Sequence, residues 1–249
     1  MLRRSVPVGP DFQETTKYHY SKTFAPGLHV HPAPPITVYD ASLPRFELPK
    51  PATTDGPGLW GAIAARRTRR EFTGDPISPL QLSQLLWAMS GVTFATPDGA
   101  FRAAGSAGGL YPNDTYLCIN AVEGMRPGLA FYEVPDHRLC LLGDGSYANE
   151  MARAALGQTC CATASVVIVW AAVIARAAWK YSDRAYRYIY LDAGHLGAHG
   201  QLACEALGLA SVNIGAFYDD EVAGIFGLDS QQQVIVYMMA VGNPAPEVI

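Results

Sequence analysis

Arg66, Arg67, Thr68, Arg69 and Arg70 put four guanidinium groups and one hydroxyl into five consecutive positions. Guanidinium forks match phosphate oxygens two at a time and a threonine hydroxyl adds a short donor, so the run can cradle a phosphate. On a helix, successive side chains turn by about 100°, which would group Arg66, Arg67 and Arg70 and send Arg69 elsewhere. The plainer alternative is a solvated helix end, since charge runs usually face water. A second candidate is Gly105-Ser106-Ala107-Gly108-Gly109-Leu110-Tyr111-Pro112. Small residues let backbone amides approach a planar ligand or a phosphate without interference from Cβ atoms. The run follows neither the Walker pattern nor the strand-to-helix GxGxxG, and a surface loop is its alternative. Asp192, His195 and His199 share one helical face, as metal ligands can. Leu196 stands where a zinc hydrolase carries its Glu base, so histidines that hydrogen-bond within a core or helix interface are expected and no metal is assigned. Lys180, with Tyr181 beside it, is one of four lysines. A lysine that works as a base must give up its proton near neutral pH, which burial or cations such as Arg176 and Arg184 would favour. A stem lying over the surface with its amine in water is the alternative.

These residues need elements to hold them. Leu59 to Phe72 reads as a helix that ends in the arginine run. Ser78 as N-cap, Pro79 at the first helical position and Gln81 closing a capping box start a second helix, with Leu82, Leu85, Leu86 and Met89 on one face and Gly91 at its end. A glycine-rich loop from Gly99 to Pro112 follows, then strands at Thr115 to Ala121, Leu129 to Val134 and Arg138 to Leu142, and a short helix at Tyr147 to Leu156. Ser165 to Ile174 is a core strand rich in Val and Ile. A long helix runs from about Asp183 to Leu207, and its small residues Ala193, Gly194, Gly197, Ala198 and Gly200 would let another helix approach closely. A last strand spans Val234 to Val241. Helices and strands mix without strict alternation, so the expected class is α+β with a largely antiparallel sheet.

The composition narrows the choice of function. With 249 residues, 49% apolar and 16% charged, the chain can bury a sizeable core and is not a disordered segment. Eighteen basic against 22 acidic residues leave a net charge of -4, so neither nucleic acid nor a membrane surface is an expected partner. Five cysteines without CxxC spacing predict reduced thiols and a cytoplasmic setting. No export signal is read in the first ten residues, and Thr163 to Ala175 is shorter than the ~20 residues that cross a bilayer. Residues 1–57, interrupted by Pro26, Pro32, Pro34, Pro35, Pro44, Pro49, Pro51 and Pro57, read as an extended arm that wraps its own globule or a second subunit, and residues 58–249 as the folded domain.

Taken together, the motifs resemble the FMN-dependent nitroreductase superfamily and, within it, the SagB-type dehydrogenases related to thiazoline and oxazoline oxidases. The resemblance runs from about Gly58 to Pro244. It rests on residues 65–72, on Pro76 to Leu82, on Ser106 to Pro112, and on Trp179-Lys180-Tyr181, Arg184 to Tyr188, Leu191 to His195 and Ala206 to Leu209. The arm segment Glu14 to Lys17 is similar as well. The resemblance implies a two-layer α+β fold with a mainly antiparallel sheet flanked by helices, in which two chains intertwine and bind two FMN at their interface. It implies that Arg66, Arg67, Thr68 and Arg70 hold the phosphate, ribityl chain and pyrimidine edge of FMN. Ser106, Ala107 and Gly108 would line the flavin, and Ile214 and Gly215 would offer backbone N–H groups near flavin N5. Gly105 stands where the family usually has Pro, and Gly242-Asn243-Pro244 lacks a basic residue, so the arginine run would serve alone or with Arg102. Lys180 and Tyr181 match the pair with which azoline oxidases remove a proton. The implied activity is oxidation of an azoline-like, small-molecule or peptide-derived substrate. Alternatives are an NAD(P)H-dependent nitroreductase or quinone reductase, and a flavin-binding module without turnover.

Overall fold

The computed structural model describes residues 8–17, 31, 33–53, 56–97 and 99–246. In chain order the elements are α1 (Val8–Thr15), β1 (Arg45–Glu47), α2 (Leu59–Ala65), α3 (Pro79–Ser90), β2 (Val92–Thr96), β3 (Gly99–Arg102), β4 (Asn113–Ile119), β5 (Gly128–Glu133), β6 (Arg138–Asp144), α4 (Ala148–Ala154), α5 (Cys160–Thr163), β7 (Val166–Val173), α6 (Ala175–Tyr181), α7 (Ala185–Ala206), β8 (Ala210–Ile214), α8 (Asp219–Ile225) and β9 (Gln233–Gly242). Single 3₁₀ turns occupy Ala107–Gly109 and Ser182–Arg184.

Seven strands pair in the order β1-β6-β5-β4-β7-β9-β8, and every neighbouring pair is antiparallel. The last strand of the chain, β9, lies inside the sheet between β7 and β8. Successive side chains of a strand point to opposite faces, and both faces here are covered by helices. Tyr116, Cys118, Val167 and Val169 pack with Met151 of α4, Cys161 of α5 and Val222 of α8. Leu117, Ile119, Ile168 and Trp170 pack with Leu82, Leu85, Leu86 and Met89 of α3 and with Leu196 and Cys204 of α7. Burial on two faces explains why β7 reads as a continuous apolar run. Each large side chain taken out of water there contributes about 1.5–3 kcal/mol. All five cysteines are buried and free.

Local chemistry sets the ends of α3. The Ser78 side chain accepts from the Gln81 N–H at 3.2 Å and the Gln81 side chain accepts from the Ser78 N–H at 2.9 Å, the capping box expected from the sequence. The helix expected to reach Phe72 stops instead at Ala65. Tertiary partners pull the chain away: the Arg69 N–H donates to Ser211 O on β8 at 3.0 Å, and Phe72 bridges Pro244. Helical grouping of the arginines therefore does not hold. The glycine-rich stretch is also more ordered than expected, since Gly99–Arg102 pairs with Val92–Thr96 in a hairpin that exposes Phe94 and Phe101. In α7, Ala193, Gly197 and Gly200 face inward, while Gly194 and Ala198 are exposed. A Cβ on Gly197 would lie 2.8 Å from Asn213 Nδ2 and Tyr237 Cε1, and one on Gly200 would lie 2.9 Å from Met89 Sδ of α3. The close approach they allow is thus to the chain's own sheet and to α3.

Parts of the arm are fastened to the same globule. β1 joins the edge of the sheet against β6. Arg176 donates to Pro34 O at 2.7 Å, to Thr37 Oγ1 at 2.7 Å and to Asp114 Oδ1 at 2.6 Å. Arg184 donates to Thr16 O at 2.7 Å, and Arg187 donates to Gln13 O and Thr16 Oγ1 at the end of α1. Pro26 and Pro32, two of the prolines that define the arm, lie outside the described residues.

Candidate functional site

Lys180 and Tyr181 close α6, a short helix between the core strand β7 and α7. Ser182 follows with φ +48°, a left-handed conformation that costs a non-glycine residue about 1–3 kcal/mol and breaks α6 from α7. The break turns the pair toward the 105–112 loop. Gly108, at φ +63°, faces them: a Cβ there would stand 2.4 Å from Tyr181 Oη and 2.8 Å from Lys180 Nζ. Only glycine fits both the backbone angle and the space. Tyr181 is braced edge-on by Tyr188, with ring centroids 4.8 Å apart, and the Lys180 amine lies 5.3 Å from the Tyr181 ring centre. Lys180 is exposed in the single chain. Of the cations expected to act on it, Arg176 is buried in an ion pair with Asp114 and serves the arm.

The loop is held from behind by α7. Ser106 Oγ donates to Asp192 Oδ2 at 2.6 Å, the Ala107 N–H donates to Asp192 Oδ1 at 3.1 Å, and the Tyr111 N–H donates to Ser106 Oγ at 2.9 Å. His195 Nδ1 meets Gly105 O at 3.2 Å, and His199 Nδ1 meets Ala88 O at 2.9 Å. The helical face that resembled a ligand set thus grips the loop and the end of α3. Burial pushes the Asp192 carboxyl above its usual range, opposed by the bonds from Ser106 and Ala107 and by His195. Arg102 lies under the same loop, its guanidinium carbon 4.5 Å from the Tyr111 ring centre, and burial lowers its pKa. It points into the loop's packing instead of joining the arginine run.

That run meets α7 at the other end. Glu205 accepts from the Arg67 N–H at 3.0 Å and from Arg69 Nη1 at 2.8 Å, while the Arg67 side chain folds back onto the carbonyls of Ala64 and Arg66. The Arg66 and Arg70 side chains make no hydrogen bond or ion pair among the described residues, and Thr68 is exposed. Ile214 ends β8 opposite Met238, and Gly215 leaves the strand exposed. Since Arg69 bonds to Ser211 three residues earlier, the arginines and the 214–215 turn share one sheet edge within roughly 10 Å. The structure therefore brings the candidates together in two groups. Asp192 and Glu205 mark them on α7, about 20 Å apart along the axis at 1.5 Å per residue. Sequence reasoning missed Glu205 and Asp192 as anchors. A carboxylate near each cluster was visible, but its partner depends on the fold.

The chain thus combines a seven-stranded antiparallel sheet flanked by helices with a basic sheet edge and a small-residue loop. The Nitroreductase family matches residues 63–243, and the chain belongs to that family of oxidoreductases. A candidate nitroreductase of Methanocaldococcus jannaschii is 33% identical over 185 residues, 74% of this chain and 90% of that protein. Among solved structures, a candidate nitroreductase of Ralstonia eutropha superposes with a TM-score of 0.70 at 26% identity, over 88% of this chain and 98% of that one. One from Anabaena variabilis gives 0.72 at 24% identity over 82% of this chain, which spans 42% of that protein's length. The Escherichia coli microcin synthetase McbBCD, solved with truncated pro-microcin B17 bound, gives 0.62 at 17% identity over 99% of this chain and 85% of that one. Among the described residues, no helix is long and apolar enough to cross a membrane.

Proposed function

We propose that the protein is an FMN-dependent dehydrogenase of the SagB type, oxidising an azoline-like substrate, small or peptide-derived. The observation that carries this reading is the contact of Lys180 Nζ and Tyr181 Oη with Gly108 of the flavin-facing loop. The donor set fits FMN: Arg66 and Arg70 hold two guanidinium groups without an internal carboxylate, which suits a phosphate. When bound, FMN supplies a two-electron acceptor for hydride. Arg66, Arg67, Thr68 and Arg70 would hold its phosphate, ribityl chain and pyrimidine edge. Ser106, Ala107 and Gly108 would line the ring, and the Ile214 and Gly215 amides would offer donors near N5. Lys180 Nζ takes the proton that the substrate carbon loses, and the Tyr181 hydroxyl orients the group that loses it.

The two site groups sit apart on α7, which supports a homodimer in which the arginine edge of one chain faces the loop and Lys180 of its partner. Exposed apolar side chains fit that assembly: Leu59, Ile63 and Trp60 of α2, the last 80% exposed, and Tyr190 and Leu191 of α7. The reduced, buried cysteines support a cytoplasmic setting. The relationship to the Methanocaldococcus protein favours a second reading, an NAD(P)H-dependent nitroreductase or quinone reductase, which needs no base. The visible spectrum of the purified protein, reconstituted with FMN, comes first; a colourless sample that takes up no FMN removes every redox reading, and FMN uptake without turnover leaves a flavin-binding module. With FMN bound, Lys180→Ala keeps the flavin and abolishes substrate oxidation. Rapid anaerobic bleaching by NADPH, unaffected by Lys180→Ala, would instead establish the reductase.

A further inference from the structure

The 105–112 loop carries unusual demands. It holds positive φ at Gly108 and Gly109, which glycine adopts freely, and at Tyr111, where a residue with a side chain keeps such an angle only if its surroundings enforce it. Apolar packing does not supply that enforcement. Behind the loop lies a cavity of about 20 Å³ lined by Met89, Ser90, Asn113, Asp192 and Leu196 among others, and Ser90 Oγ and Asn113 Oδ1 are buried there without a partner. The loop rests on a gap. Across it stands Asp192, 6% exposed, whose two carboxylate oxygens take the Ser106 hydroxyl and the Ala107 amide. The Ser106 oxygen passes the constraint on by accepting the Tyr111 amide. One residue further, Gly108 touches Lys180 and Tyr181.

Resting on the functional reading above, we propose that Asp192 is a positioning residue that fixes the 106–111 loop by hydrogen bonds and so sets the spacing between the flavin-facing backbone and the Lys180–Tyr181 pair. It acts through the loop and touches neither substrate nor flavin. Burial of a carboxylate is unfavourable unless several donors satisfy it, and two of the donors here belong to the loop. The same α7 that bears Asp192 continues from the turn after Tyr181, so both sides of the contact are referred to one rigid helix.

Three substitutions separate a hydrogen-bonding role from a packing role. Asp192→Leu keeps the shape without acceptors, Asp192→Ala removes both, and Asp192→Asn keeps one acceptor and can donate to Ser106 Oγ. Amide hydrogen exchange is followed in the FMN-free protein, with β4 and β7 as internal reference. Asp192→Leu and Asp192→Ala should accelerate exchange at Ala107 and Tyr111 at least tenfold, with the two strands unchanged, and Asp192→Asn should restore most of the protection. Should the leucine variant fail to fold, Ser106→Ala serves: Tyr111 exchanges faster while Ala107 stays protected. On FMN loading, Kd should rise at least tenfold for the alanine and leucine variants and remain near wild type for asparagine. Equal protection in the leucine and asparagine variants, or acceleration spread over β4 and β7, overturns the proposal. Absence of FMN binding by the wild-type protein would sink the functional reading and leave the exchange result to decide the loop's anchor.

Discussion

Ion pairing divides the arginine run into two kinds of side chain. Arg69 is committed to Glu205 at 2.8 Å, so its charge already has an internal partner. Arg66 and Arg70 have none among the described residues. Replacing Arg66 or Arg70 by Ala should therefore weaken FMN binding by about 1.5–3 kcal/mol, the usual contribution of a charge-assisted bond. Arg69→Ala should change flavin affinity less and lower the melting temperature instead, because Glu205 then loses its guanidinium. Fluorescence titration beside thermal melts checks both, and an Arg69 variant that proves the weakest flavin binder would refute the assignment. The composition of the run was legible in the sequence, but Arg69 is set apart by Glu205, 136 positions away, and not by the helical spacing the sequence suggested. Nor was the grouping of Arg67 legible. Its side chain turns back to Ala64 and Arg66, a local bond that no helical wheel contains. Asp192 was likewise visible as a residue of one face of α7, but its partners lie 85 and 86 positions away, where only the fold can bring them.

Where local signals were strong, elements matched expectation. The capping box started α3 on Pro79, and the Val-rich run became β7. Elements set by distant contacts were lost: the arginine segment left the helix to bond the edge of β8, and α6 ends at a serine whose left-handed turn has no glycine to announce it. The stripe of small residues on α7 shows the same limit, since the sequence marks that something packs closely and not what does. Gly197 lies against Asn213 and Tyr237 of the same chain. Gly197→Leu should accordingly destabilise the monomer, by about 1–3 kcal/mol or more from overpacking, and disturb assembly only as a consequence. Urea denaturation at two protein concentrations tests this. A variant with unaltered stability that fails to dimerise would move the interface back onto that face.

At the scale of the whole molecule, a single chain presents two separate groups of candidate residues and exposed aromatic and aliphatic side chains on α2, α7 and the hairpin, which the proposed homodimer would bring together and cover. Dimer and flavin should therefore be gained and lost together. Light scattering and absorbance on one sample should show FMN only in the dimer peak, and a monomer with stoichiometric FMN would contradict it. Assembly within the chain has its own order. Thr16 waits for Arg187, 171 positions later, and at roughly 5–20 residues per second its partner is made on the order of ten seconds afterwards. β9, which lies inside the sheet between β7 and the edge strand β8, is made later still. On the ribosome, then, the stretch bearing Lys180 emerges without β9 to complete the sheet beside it, and a nascent chain cut short between Tyr181 and Gln233 carries both candidate catalytic side chains but lacks the strand that joins β7 to β8.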